Sequence, residues 1–267
     1  MMRSNQLKTL LFAVALVFTA GVLFSFMQKP KPVLYLVGDS TVKNGKGKGD
    51  GGLWGWGNYL GTYFDTTKIT VENDALGGTS SRTFQTQGWW DKVLVKIKPG
   101  DYVIMQFGHN DASPLVDSSR ARGTIKNNSD EQQELYNPLT KKNEVIHSYG
   151  WYLRKMINEA KAKGATVAVC SLIPRDNWKD SKVNRSTDSY VLWASQAAKQ
   201  AGATFIDLNA LVADVYDQEG EAKVRSTYFT TTDHTHTSEA GAKLNAQLVA
   251  KGIKNSKGFS LSKYLAK

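Results

Sequence analysis

The chain has 267 residues, 41% of them hydrophobic and 22% charged, with a formal net charge of +10. That length accommodates one large α/β domain with a sizeable core, and the composition carries no internal repeat and no low-complexity tract beyond one Gly/Lys stretch. The single cysteine excludes an intramolecular disulfide, so packing alone must stabilise the fold.

Arg3 and Lys8 precede an uncharged, mostly apolar run from Leu10 to Met27. A basic start followed by such a run reads as a secretory signal peptide, with Thr19-Ala20-Gly21 as a small-residue cleavage site. Its length also suits an uncleaved membrane anchor, because about 18 apolar residues can span a bilayer; a buried helix is the third reading. No cysteine follows closely, so a lipid anchor is not expected. Either exported form places the domain outside the cytoplasm, as a secreted, periplasmic or membrane-anchored protein. Residues 1–29 are set apart on this reading, and residues 31–267 form one domain.

Along that domain, strand-length apolar runs alternate with helical patterns. Strands are predicted at Val33–Val37, Ile69–Asn73, Tyr102–Phe107, Thr166–Leu172 and Thr204–Asp207. Most are continuous rather than alternating, as strands covered on both faces are. Helices are predicted at Gly57–Phe64, Trp89–Ile97, Ser148–Lys163, Tyr190–Ala201 and Ser238–Ile253, the last with Thr237 or Ser238 as N-cap. Alternating β and α elements imply a three-layer α/β/α sandwich around a parallel sheet. Residues 112–146 break the rhythm: they are polar, long and contain Pro114 and Pro138. A stretch of this kind beside a strand end is expected to overhang the site as a loop or hairpin.

The chemistry gathers at strand ends. Ser40 lies in Gly38-Asp39-Ser40-Thr41, directly after the first strand, where open α/β folds keep their sites. A serine there is a nucleophile only if a base reaches it; otherwise it caps a turn. Of four histidines, two lie in Asp233-His234-Thr235-His236. Asp233 and His236 are three apart, which lets the carboxylate orient Nδ1 while Nε2 faces a serine. Asp233, His234 and His236 are alternatively a metal set, with His109 as a further ligand. Gly78 follows the second strand and Asn110 the third; their N–H groups are donors for an oxyanion. Gly47 to Gly52 imitates a dinucleotide fingerprint, but it does not follow a strand directly and Asp39 and Asp50 would face the phosphates. Cys170 reads as a buried core thiol. Most of the seven tryptophans read as core, with one or two left as sugar platforms. Without Arg3 and Lys8 the domain holds 32 basic against 24 acidic residues, or +8. Such a charge attracts polyanions, but no nucleic-acid motif accompanies it.

Four ordered blocks carry a resemblance: Gly38-Asp39-Ser40, Gly78, Gly108-His109-Asn110-Asp111 and Asp233-x-x-His236. Together they resemble the SGNH, or GDSL-like, hydrolase superfamily. The Gly-Asp-Ser-Thr form, Asn73-Asp74-Ala75 and Ser80-Ser81-Arg82-Thr83-Phe84 are similar to its rhamnogalacturonan acetylesterase branch. The resemblance implies a flavodoxin-like fold and a serine esterase needing neither cofactor nor metal. It implies Ser40, Asp233 and His236 as catalytic residues, with Ser40, Gly78 and Asn110 as the oxyanion hole. It further implies an acetylated, acidic cell-wall polysaccharide as substrate, to which the basic surface is suited. Trp56, His109 and Arg82 are the candidates for substrate contact. Esterase action on other acyl esters (xylan acetyl groups, lipids, thioesters) and non-catalytic carbohydrate binding are the alternatives. No nucleic-acid partner is expected, and membrane attachment would run through the N-terminal segment.

Overall fold

Five short strands run parallel through the centre of the molecule: β1 (Val33–Gly38), β2 (Thr70–Asn73), β3 (Tyr102–Gln106), β6 (Thr166–Cys170) and β9 (Thr204–Ile206). A computed structural model describes residues 31–266, so the expected leader or anchor at residues 1–29 lies outside the described residues. The strand order is β2-β1-β3-β6-β9. Register places Gly38 beside Gln106 at the carboxyl ends of β1 and β3.

Alternate side chains of each strand point to opposite faces, and each face is covered. Leu34, Leu36, Ile104, Cys170 and Ile206 pack on one side under α5 (Leu208–Glu219) and α7 (Glu239–Asn255). Tyr35, Val37, Val103, Met105 and Val169 pack on the other. There they meet α1 (Ser81–Thr86), α2 (Trp89–Leu94), α3 (Tyr149–Ala162) and α4 (Tyr190–Gln200). Burial on both faces explains the unbroken apolar strands. Cys170 is fully buried, and burial pushes its thiol far above the ordinary range. Helix α3 starts where the Ser148 hydroxyl accepts the Trp151 N–H at 3.1 Å. Its Tyr149, Leu153, Met156, Ile157 and Ala160 form one buried stripe.

The structure departs from the sequence reading in some elements and agrees with it in others. Gly57–Phe64 is not an α-helix but two 3₁₀ turns, Trp56–Asn58 and Leu60–Tyr63. Gly57 is there for close approach: a Cβ on it would lie 2.8 Å from the Val42 carbonyl oxygen. Helices α1, α5 and α6 (Glu221–Tyr228) were not anticipated, although Asp207 caps α5 by accepting the Ala210 N–H. Residues 112–146 do contain a hairpin, β4 (Gln132–Asn137) against β5 (Lys142–His147). The remaining strands, β7 (Trp178–Lys179) and β8 (Lys182–Val183), form a minimal second hairpin.

Candidate active site

At the end of β1 the chain turns sharply. The buried Asp39 carboxylate accepts the Thr41 N–H at 2.9 Å and the Thr41 hydroxyl at 2.7 Å, closing a turn that leaves Ser40 at the surface of a cleft of about 680 Å³. Burial pushes the Asp39 carboxyl above its usual range, against the pull of these two bonds. The Gln106 amide donates to the Thr41 hydroxyl, and the Trp56 indole N–H donates to Gln106 at 2.8 Å. A buried polar ladder therefore braces the serine turn from β3. Trp56 belongs to that ladder and is fully buried, so it offers no face to a sugar, contrary to expectation.

His236 comes from the loop before α7. Its Nε2 lies 2.8 Å from Ser40 Oγ, and its Nδ1 lies 2.7 Å from Asp233 Oδ2. Asp233 Oδ1 accepts the N–H groups of Thr235 at 2.8 Å and His236 at 2.7 Å. Burial raises the Asp233 carboxyl, but these bonds outweigh it and hold the group below its usual range. An ionised Asp233 fixes a proton on Nδ1 and leaves Nε2 to accept from the serine. His234 points elsewhere: its Nδ1 meets Asp176 Oδ2 at 2.7 Å. Asp233, His234 and His236 therefore do not converge on one point.

The donors expected for an oxyanion line the same cleft. Gly78 has φ +83°, a left-handed turn conformation that glycine supplies without strain. Neither its N–H nor that of Ser40 has an acceptor among the described residues. Asn110 Nδ2 donates one hydrogen to the Thr79 carbonyl at 2.7 Å, which leaves its second for the cleft. The Asp111 carboxyl joins the two segments: it accepts from Ser81 N–H and hydroxyl and from Gly108 N–H. Burial, assisted by the charge of Asp39, pushes it to about 7.

His109 lines the cleft but is 7% exposed. Burial, then the neighbouring Arg175 and His236, push its imidazole down to about 3. Its Nδ1 accepts from Arg175 Nε at 3.3 Å. Arg82 departs most from expectation. It is fully buried and pairs with Glu144 through Nε–Oε1 at 2.8 Å and Nη2–Oε2 at 2.6 Å. Its Nη1 donates to the carbonyls of Leu115 and Gly123. Arg82 fastens residues 115–123 and the hairpin to α1 and touches no cleft.

Sequence reasoning missed Arg120, Arg122, Arg175 and Asp176. The first three line the cleft. Arg120 and Arg122 lie in the stretch expected to overhang the site, and it is residues 112–122, not the hairpin strands, that do so. Asp176 donates its N–H to the His234 carbonyl at 2.9 Å. Its carboxylate accepts from His234, Trp178 and Arg225. The signal was the polar Arg175-Asp176 pair following a strand, as Asn110 follows β3.

The chain is similar to known proteins in sequence and in fold. The chain is 33% identical over 226 residues to a probable rhamnogalacturonan acetylesterase, YesY, of Bacillus subtilis, covering 83% of this chain and 92% of that one. It is 29% identical over 221 residues to a rhamnogalacturonan acetylesterase of Emericella nidulans, covering 82% and 84%. The crystal structure of protein YxiM from Bacillus subtilis superposes with a TM-score of 0.65 at 26% identity, over 84% of this chain and 56% of that chain. An acetylxylan esterase from Geobacillus stearothermophilus shares the fold, with a TM-score of 0.57 at 19% identity over 83% and 94%. Residues 36–244 match the GDSL-like lipase/acylhydrolase family, and the chain belongs to it.

Proposed function

We propose that this hydrolase removes O-acetyl groups from an acetylated plant cell-wall polysaccharide, rhamnogalacturonan before others, with Ser40 as nucleophile. The observation that carries the reading is the continuous chain Ser40 Oγ–His236–Asp233, with both links under 3 Å. His236 Nε2 takes the Ser40 proton as Oγ bonds to the acetyl carbonyl carbon, and the carbonyl oxygen becomes an oxyanion. The Ser40 and Gly78 N–H groups and the free Asn110 amide hydrogen receive that charge. Collapse breaks the bond to the sugar oxygen, which leaves with the proton from His236. Water then attacks the acetyl-enzyme by the same route, giving acetate and free Ser40.

The names of the relatives support the polysaccharide, and the +8 domain suits a polymer containing galacturonate. The uncharged run behind Arg3 and Lys8 supports export. Acetate release from acetylated pectin, acetylated xylan and p-nitrophenyl acetate tests the reading. Pectin is expected to be turned over with the highest kcat/KM. A marked preference for long-chain acyl esters, or binding of pectin without acetate release, would overturn it.

A further inference from the structure

Three guanidinium groups, those of Arg120, Arg122 and Arg175, open onto the cleft that holds Ser40. Asp233 is the one carboxylate among the described residues lining it, and both of its oxygens are engaged by the His236 loop. None of the three arginines has a carboxylate within 4.0 Å among the described residues, whereas Arg82, Arg154, Arg185 and Arg225 are each paired. Burial and the neighbouring charge of Arg120 lower the affinity of Arg122 for its proton. Asp39, Asp111 and Asp117 act on Arg122 from beyond 4.0 Å, and an anion in the cleft would offset the clustered positive charge more closely.

Placement specifies where the anion would sit. Arg122 Nη1 donates to the Gly78 carbonyl at 2.8 Å and its Nε to Ser113 Oγ at 3.2 Å, leaving Nη2 uncommitted. Arg175 uses Nε and Nη2 on His109, leaving Nη1. The Arg120 side chain has no bonded partner among the described residues. Arg122 thus leans on one proposed oxyanion residue, Gly78, and Arg175 on the neighbour of the other, Asn110. We propose that Arg120, Arg122 and Arg175 form a subsite for the carboxylate of a uronate unit next to the acetylated sugar in the polymer, a reading that rests on the esterase assignment. Guanidinium is the donor suited to a carboxylate because its N–H groups lie in one plane and meet both oxygens. A carboxylate-bearing glycan is a ligand that would use both this subsite and a nearby acyl-transfer serine.

Calorimetric titration of the purified chain with trigalacturonate and with its methyl ester separates charge from sugar shape. At about 0.15 M salt, fields from surface charges farther than about 8 Å are largely screened. The free acid is expected to bind at least tenfold more tightly than the ester, as lost charge-assisted bonds imply. Arg120→Gln/Arg175→Gln should erase that difference. Lys254→Gln/Lys257→Gln, which removes the same charge from residues that do not line the cleft, should preserve it. Equal affinity for acid and ester, or erasure by the lysine pair as complete as by the arginine pair, would overturn the subsite. Circular dichroism confirms that each variant is folded. Hydrolysis of p-nitrophenyl acetate, read separately, distinguishes the two ideas: its absence in the folded wild type defeats the esterase reading, while the calorimetry still decides the subsite.

Discussion

Replacing Arg82 by Met keeps most of the side-chain stem and removes the guanidinium. The change strips Glu144 of a bidentate partner in a site where the glutamate side chain is 19% exposed. Removing one partner of a buried pair costs roughly 3–5 kcal/mol; the residual exposure of Glu144 favours about 3. The carbonyls of Leu115 and Gly123 lose their donor as well, at about 1 kcal/mol each, for a total near 5 kcal/mol. A domain of this size shifts Tm by about 2–4 °C per kcal/mol, so melting should fall by roughly 10–20 °C. Arg82→Met/Glu144→Gln should recover part of the loss, because the uncompensated charge is gone. Calorimetric melting of the wild type and the two variants reads this directly. Unchanged melting in Arg82→Met together with a raised KM would return Arg82 to the role of a substrate contact.

Three further outcomes are expected. Asn110→Ala should lower kcat about 10²–10³-fold with little change in KM, since the amide meets charge present only in the transition state; a pure KM effect would make Asn110 a substrate clamp. His234→Ala should lower kcat by freeing the loop that carries Asp233 and His236 from Asp176, with His234→Asn restoring much of it through an amide donor; equal loss in both would refute the anchoring role. Asp111 binds its proton more tightly when folded, at about 7, than when unfolded, near 4. Folding stability from this group is therefore greatest below about pH 4 and is lost as pH rises toward 7. Urea melts should show that slope in the wild type and not in Asp111→Asn; identical slopes would show that Asp111 stays ionised.

The sheet was legible because β1, β3 and β6 are short continuous apolar runs that end in polar or glycine residues, a pattern imposed by burial on both faces. The residues that meet around Ser40 were legible for a related reason: each directly follows a strand or precedes a capped helix, so one sheet edge collects them. Arg82 misled because a charged residue near a site reads as a surface contact. Its partner Glu144 lies 62 positions away, on a hairpin whose pairing no local pattern announces. Trp56 misled likewise, since residue type does not reveal which side of a turn faces the core. The arginines of the cleft were missed because Arg120 and Arg122 lie in a stretch without periodicity, where only the folded path shows which side chains turn inward.

The measurement that bears most directly on the mechanism is covalent labelling of Ser40. A fluorophosphonate should add one adduct per wild-type chain, mapped by peptide mass spectrometry to the segment containing Ser40, and should abolish acetate release. Ser40→Ala should take no label and release no acetate while melting at the wild-type temperature, and a chelator should leave the wild-type rate unchanged. Labelling elsewhere, or acetate release at the wild-type rate by Ser40→Ala, would contradict a Ser40 acetyl-enzyme.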